Sequence, residues 1–276
     1  MNPARAAAEL TGHDTIEVRQ LGPAVWEVDL ADGDLVVVKR HDRPNAVLAE
    51  AASLDWLAEP EGPPVPGVRG HDDRWLVIDQ VEPGRPSPAA AEEFGRALAR
   101  LHATGAPAFG APPPGGPRDA AIGLAPMPNT PRDTWADWFR EDRIAHYARL
   151  AVDRGALTPD EARRVERVPV EAPDEPPARL HGDLWNGNVH WAADGRAWLI
   201  DPAAHGGHRE GDLAMLALFG CPHLDRVLAA YHETAPLADG WRERIPLHQL
   251  FPVLVHAVLF GRGYAQQALA AARALT

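Results

Sequence analysis

Residues 181–188 read His-Gly-Asp-Leu-Trp-Asn-Gly-Asn, which sets Asp183 and Asn188 five residues apart, and Asp201 follows thirteen residues on in Leu199-Ile200-Asp201-Pro202. A carboxylate that can take a proton from a hydroxyl, together with an amide and a second carboxylate that can offer oxygen to a hard cation, suits phosphoryl transfer. That reaction depends mostly on positioning and on neutralising charge. Magnesium is the expected ion, held by Asn188 and Asp201, with Asp183 as base. Asp and Asn in loops commonly form turns, and a lone Asp-x-x-x-x-Asn would carry no weight. Here two of the chain's five asparagines fall in one eight-residue run. Lys39 adds to the pattern, being the single lysine among 27 basic residues. Under so strong an arginine bias, a retained lysine marks either a place where a compact ammonium is required or a solvated position that tolerates both cations.

The elements that must position these groups follow from pattern. Residues 15–21, 24–30 and 35–40 are β-rich runs broken by Gly22-Pro23 and by Ala31-Asp32-Gly33-Asp34, which predicts an antiparallel meander with Lys39 near the end of its third strand. Pro44 suits the first turn of a helix running to about Glu59, with Val47, Leu48, Ala51, Leu54 and Leu57 at helical spacing. Glu50 sits on that apolar stripe. A carboxylate facing inward costs several kcal/mol unless paired, and the one lysine available is Lys39. A Pro/Gly-rich connection over 60–70 precedes a fourth strand at 75–81, and the breakers from Pro83 to Pro88 read as a hinge. Helices are expected from Ser87-Pro88 to His102, over 133–154, and from the capping box Thr158-Pro159-Asp160-Glu161. A surface loop is expected at 105–117 and a linker at 169–178. Short strands are expected at 178–180, 189–192 and 197–201, the last two joined by a tight turn that would bring Asn188 and Asp201 to neighbouring ends of a hairpin, and 212–274 is helical by periodicity. The fold class is α+β: a small antiparallel-sheet lobe with one main helix over 1–81, a hinge over 82–88, and a larger, mainly helical lobe over 89–276.

Composition narrows the function. With 39 acidic residues against 27 basic and a formal charge of -12, the chain is a poor nucleic-acid binder. One cysteine, Cys221, excludes an intramolecular disulfide and a four-cysteine zinc site, and no His-Glu-x-x-His occurs among the 13 histidines. A Walker A loop cannot be built from a lysine preceded by Val38. No apolar run reaches the roughly 20 residues that span a bilayer, the first residues offer no secretory core, and no internal repeat is visible, so a cytoplasmic protein without membrane partners is expected.

The chain resembles the protein-kinase-like small-molecule kinases, and within them the fructosamine kinase (fructosamine/ketosamine-3-kinase) family. His-Gly-Asp with Asn188 five residues on is shared with aminoglycoside phosphotransferases and choline kinases. The narrower markers are Trp185 inside that run, the stretch from Ile200-Asp201-Pro202-Ala203 through Gly207 to Met215, and the stretch from Ile122-Gly123 through Asn129 to Trp135-Ala136-Asp137-Trp138-Phe139. The similarity extends over nearly the whole chain. It implies a two-lobe kinase-like fold and the cofactors ATP and magnesium. The implied reaction is phosphorylation of a sugar hydroxyl, O3, on a ketosamine, whose labile product releases the amine and so repairs glycation. The acceptor would be a small sugar-amine of fructosamine or ribulosamine type, free or on a glycated protein.

Carried over residue by residue, the resemblance makes Lys39 the ligand of the α- and β-phosphates, Glu50 its partner, and Asp183 the base beside Asn188 and Asp201. Ile78 becomes a gatekeeper, with the Asp79 carbonyl and the Val81 amide reading adenine. Trp185 is either a flat wall for a sugar or a core side chain; His208, Arg209 and Glu210 either line the acceptor pocket or tie down their loop; Asp212 caps a helix and holds the backbone near His181. One departure stands out. The family's Gly-rich turn over the phosphates is here Leu21-Gly22-Pro23-Ala24-Val25, with a single glycine and a proline that has no amide to donate. Two other readings therefore remain: a small-molecule kinase of aminoglycoside, homoserine or choline type, and a non-catalytic nucleotide-binding pseudokinase.

Overall fold

The computed structural model describes residues 2–276. Helix α1 (Pro3–Thr11), which the sequence pattern did not announce, is capped by Asn2, whose Oδ1 accepts the Arg5 N–H at 2.9 Å. Strands β1 (Thr15–Gly22), β2 (Val25–Leu30) and β3 (Leu35–Arg40) form the expected meander. Helix α2 (Ala46–Leu57) follows, then β4 (Val68–His71) and β5 (Trp75–Asp79), giving an antiparallel sheet in the order β1-β2-β3-β5-β4. Alternation decides what each face does. Val36 and Val38 pack with Val28, Leu30 and Trp75 under Ala6 and Ala7 of α1. On the other face Val37, Leu76 and Ile78 meet Val47, Ala51 and Leu54 of α2, so Lys39 points to the same side as Glu50.

The sheet has five strands where four were legible. β4 lies in the stretch that reads as connection, an edge strand of four residues with a register shift between Val68 and Gly70, so it shows no apolar alternation. β5 stops at Asp79, two residues before the expected end. The segment that follows is fastened to the larger lobe: Gly84 donates its N–H to the Trp191 carbonyl at 2.7 Å, and Ala193 donates to Glu82 at 2.9 Å. A Cβ on Gly84 would lie 2.3 Å from the Ala192 carbonyl oxygen, so only glycine permits this approach.

Helix α3 (Pro88–Ala103) begins at the Ser87 cap. The loop beyond it leads to an unforeseen hairpin of β6 (Asp119–Ile122) and β7 (Ala125–Pro128). The helix expected over 133–154 is three pieces: α4 (Trp135–Trp138), a π-helical segment Phe139–Ala145, and α5 (His146–Asp153). Helix α6 (Pro159–Glu166) carries the full Thr158/Glu161 capping box. β8 (Ala178–Leu180) is followed by the expected hairpin β9 (Val189–Trp191) and β10 (Ala197–Leu199). β11 (His205–Gly207) then returns to pair with β8. Helices α7 (Glu210–Leu218), α8 (Leu224–Thr234), α9 (Trp241–Phe260) and α10 (Arg262–Leu275) complete the lobe. One core gathers α3, the β9–β10 hairpin, α7 and α8, and a second gathers the aromatic residues 135–147 with α9 and α10. Among the described residues no helix is long and apolar enough to cross a membrane.

Candidate active site

Lys39 and Glu50 meet as their faces require. Lys39 Nζ lies 2.6 Å from Glu50 Oε1, both side chains are buried, and the same ammonium also pairs with Asp201. Burial alone would lower the Lys39 pKa, but the charges of Glu50 and Asp201 outweigh it and the group is held as a cation. Burial likewise acts to raise Glu50, and Lys39 with His41 overcomes it, keeping the carboxylate ionised. His41, two residues beyond Lys39 and on the same strand face, brings Nε2 to 3.0 Å from the other Glu50 oxygen. Lys39 therefore spans from the sheet and α2 to the larger lobe. A second tie runs beside it, where Ala204 N–H donates to Ser53 Oγ of α2 at 3.3 Å.

The loop bearing Asp183 hangs from Asp212 in the first turn of α7. Asp212 Oδ2 accepts the His181 N–H at 2.8 Å and Oδ1 accepts the Gly182 N–H at 3.0 Å. His102 reaches the same carboxylate at 3.2 Å and is itself held by the Tyr231 hydroxyl at 2.8 Å. His181 Nε2 donates to the Ile200 carbonyl at 3.0 Å, which leaves Nδ1 to accept the Asp183 N–H at 3.3 Å. One imidazole thus joins the residue before Asp201 to the backbone of Asp183. Gly182 adopts φ 81°, and a Cβ there would strike the Ala203 carbonyl oxygen at 2.1 Å. Asp201 is one of three non-glycine residues in the left-handed region among those described, at φ 53°. Such backbone is costly and is held in place only by well-determined surroundings.

Asn188 donates Nδ2 to the Asp183 carbonyl at 2.8 Å and to the Asp183 carboxylate at 3.2 Å, so its amide orientation is set and Oδ1 is left as an acceptor. Ile200 N–H donates to the Asn188 carbonyl at 3.1 Å, which locks the two ends of the hairpin together. Burial raises the Asp183 carboxyl to about 6; the negative charges of Asp201 and Asp212 add to this and the Asn188 hydrogen bond opposes it. The oxygens of Asn188 and Asp201, one neutral and one anionic, form a donor set that suits a hard divalent ion, and Lys39 already shows Asp201 taking a cation.

Lys39, His41, Glu50, Ser53, Asp183, Asn188 and Asp201 line one cleft of about 450 Å³. Its small-lobe side is formed by Ala24, Val25, Lys39, Arg40, His41 and Glu50, and its far wall by Leu124, Met127, Asn129 and Trp185. Trp185 is 39% exposed, so it is a wall of the cleft and not a core side chain. The turn that would cover phosphates contributes Ala24 and Val25, while Gly22 stands outside the cleft lining, as do Asp79, Val81 and Ile78. Asp79 spends its carboxylate on Arg69 at 2.5 Å and on the Gly67 N–H at 3.1 Å, and Ile78 is buried beneath α2.

His208, Arg209 and Glu210 are absent from the cleft lining, and of their two readings the contacts fit the one in which they tie down their loop. Arg209 places two 2.7 Å hydrogen bonds on Glu175 and others on the carbonyls of Ala235 and Pro236. Glu210 is held by Arg244 at 2.9 and 2.5 Å and lies 3.2 Å from His248 Nε2. Every strong donor and acceptor of these two charged side chains is spent on structure. His208 Nδ1 accepts the Glu210 N–H at 3.2 Å, which puts the ring proton on Nε2, pointing toward Glu175 at 3.9 Å. That tautomer has no lone pair to offer a metal at Nε2, although His208, Glu210 and His248 are grouped closely enough to hold one.

Sequence reasoning gave no role to Asn129. It is fully buried and lines the cleft, with Oδ1 accepting from Arg143 at 3.3 Å and Nδ2 without a partner. Arg143 is itself buried, between the rings of Trp138 and Phe251 at 4.4 and 5.0 Å. Its signals in sequence are rarity, as one of the chain's five asparagines, and its place in the marker stretch from Ile122 to Phe139.

The fructosamine kinase profile matches residues 13–275. A Synechocystis protein named as a probable ketoamine kinase is 36% identical over 228 residues, covering 80% of this chain and 75% of its own. A solved structure from Thermobifida fusca, assigned as a fructosamine-3-kinase, superposes with a TM-score of 0.91 at 51% identity, covering 99% of this chain and 97% of that one. An ADP-bound aminoglycoside phosphotransferase superposes with a TM-score of 0.65 at 15% identity over 99% of both chains, a likeness of fold alone.

Proposed function

The chain belongs to the fructosamine kinase family and is an ATP-dependent phosphotransferase, and we propose that its acceptor is a sugar hydroxyl of a ketosamine, an amine carrying a rearranged sugar. The observation that carries this reading is convergence. Lys39 with Glu50, and Asp183 with Asn188 and Asp201, face one cleft whose outer wall is the half-exposed ring of Trp185. Lys39 holds the α- and β-phosphates, with Glu50 fixing its ammonium. Asn188 and Asp201 fit magnesium, which when bound neutralises phosphate charge. Asp183, fixed through His181 and Asn188, takes the proton from the acceptor hydroxyl as its oxygen attacks the terminal phosphorus. Trp185 offers the sugar a flat apolar face. The hydroxyl is O3, and the phosphorylated ketosamine releases its amine, which would make the reaction a deglycation repair.

One feature favours the rival reading of a nucleotide binder without turnover: the β1–β2 turn carries Pro23, which has no amide to give a phosphate. An acceptor panel separates the readings. ADP release with magnesium-ATP is expected on ketosamines and not on aminoglycosides, homoserine or choline. Thermal stabilisation by magnesium-ATP without ADP release on any acceptor would support the rival, and turnover confined to another acceptor class would replace the ketosamine.

A further inference from the structure

Among the described residues, the exposed phenylalanines and tryptophans all belong to one chain of ring contacts, and that chain starts in the cleft. Trp185 meets Phe219, just beyond α7, edge-on with centroids 6.0 Å apart. Phe219 meets His256 of α9 at 5.1 Å, and His256 meets Tyr264 of α10 at 4.9 Å and Phe260 at 5.5 Å. Phe219 is 40% exposed and Phe260 66%. Leu124 at the β6–β7 tip, 72% exposed, lines the same cleft, and a Cβ on its neighbour Gly123 would lie 3.8 Å from Leu259 at the end of α9. Apolar surface gathered in one place and left in water usually marks a binding face.

Continuity says what the face is for. Trp185 belongs both to the cleft and to the track, so whatever projects from an acceptor seated beside Asp183 meets Phe219 next. A second copy of the chain seated here would cover Trp185 and Leu124 and close the acceptor cleft. The ring faces attract cations, and the track itself carries no acidic or basic side chain apart from the imidazole of His256. Arg262, adjoining it at the start of α10, is spent on Glu161 through two 2.7 Å hydrogen bonds. The cleft behind it holds Glu50 and Asp201, both paired with Lys39, and Asp183, which has no cationic partner. These surroundings favour a cationic amine and an uncharged substituent, and they disfavour a carboxylate.

We propose that the track from Trp185 through Phe219 to Tyr264 and Phe260 binds the amine-side substituent of the acceptor and selects ketosamines of aromatic or apolar small amines. The inference rests on the ketosamine reading. Its test compares ketosamines sharing one sugar and made from 2-phenylethylamine, methylamine and glycine, on the full-length wild type and on Phe219→Ala and Phe260→Ala, with KM for ATP as internal reference. The expected result is a kcat/KM for the phenylethyl acceptor at least about tenfold above the methyl one, mostly through KM, with the glycine one lowest. Phe219→Ala should lower the phenylethyl value about tenfold more than the methyl value. Equal kcat/KM for all three, or a preference untouched in Phe219→Ala, would overturn the proposal while leaving ketosamine phosphorylation standing. No turnover of any of the three would bring down the ketosamine reading and this inference together. Concentration-dependent dimerisation lost in Phe260→Ala, seen by sedimentation, would give the face to a second copy and overturn it as well.

Discussion

Lys39 bridges Glu50 and Asp201 from a single nitrogen. A guanidinium has no single point charge to place there, only a planar fork that spreads its charge over three nitrogens. Lys39→Arg is therefore expected to lower kcat/KM for ATP nearly as far as Lys39→Met, by about 10²-fold or more. Glu50→Gln should lower turnover by misplacing the lysine while leaving the melting temperature unchanged or raised, because a buried carboxylate is costly even when paired. Steady-state rates beside thermal melts check both; full activity in Lys39→Arg would remove Lys39 from the nucleotide site. Lys39, Glu50, Asp183, Asn188 and Asp201 could be picked out of the sequence because the chemistry restricts residue type and the elements restrict spacing. His208, Arg209 and Glu210 could not be placed, since polarity does not say which side of a loop a side chain takes. Asn129 had no role legible in sequence because what singles it out is a buried amide without a partner, a property of the folded cleft.

Among the elements, α7 does the most for the loop bearing Asp183 by presenting Asp212 to two consecutive backbone amides. Asp212→Asn keeps one acceptor oxygen and turns an NH2 toward the second donor, so at least one buried N–H goes unpaired at a cost of about 1–3 kcal/mol. The melting temperature should fall by roughly 3–10 °C. kcat should fall with it, while KM for ATP moves less because Lys39 and Glu50 belong to the other lobe. An unchanged melting temperature would mean the loop is held by something else. Elements with strong local chemistry were legible: the β1–β3 meander, the Ser87 cap of α3, the Thr158/Glu161 box and the β9–β10 hairpin. Those lost were short or made by pairing. β4, β6, β7 and β11 have three or four residues each, and β11 is strand only because β8 lies beside it. The π-helical turn after Trp138 leaves an apolar period that still reads as one helix.

At the scale of the molecule, the larger lobe encloses several imidazoles that resist protonation. Burial, helped by Arg143, pushes His205 down to about 3, and burial with His248 pushes His208 down to about 4; burial also lowers His181 and His248. In the unfolded chain each takes a proton near about pH 6.5. Between there and the folded values the unfolded state binds more protons, so stability is fully present above about 6.5 and is lost as pH falls, by on the order of several kcal/mol. Calorimetry should show a melting temperature nearly flat from about pH 8 to 7 and falling steeply below about 6, and a flat profile down to about pH 5 would contradict neutral burial of these rings. The two lobes that this core supports meet at Lys39 and Asp201, and phosphoryl transfer to a ketosamine is proposed to happen between them. The most direct measurement is phosphorus NMR of the product formed from a ketosamine and magnesium-ATP by the wild type and by Asp183→Asn. The expected result is a sugar-phosphate ester at O3 from the wild type and formation slowed about 10²- to 10⁴-fold in the variant, with ATP affinity little changed. Product formation within a few-fold of wild type in Asp183→Asn, or ATP bound by both with no sugar phosphate from either, would contradict the account.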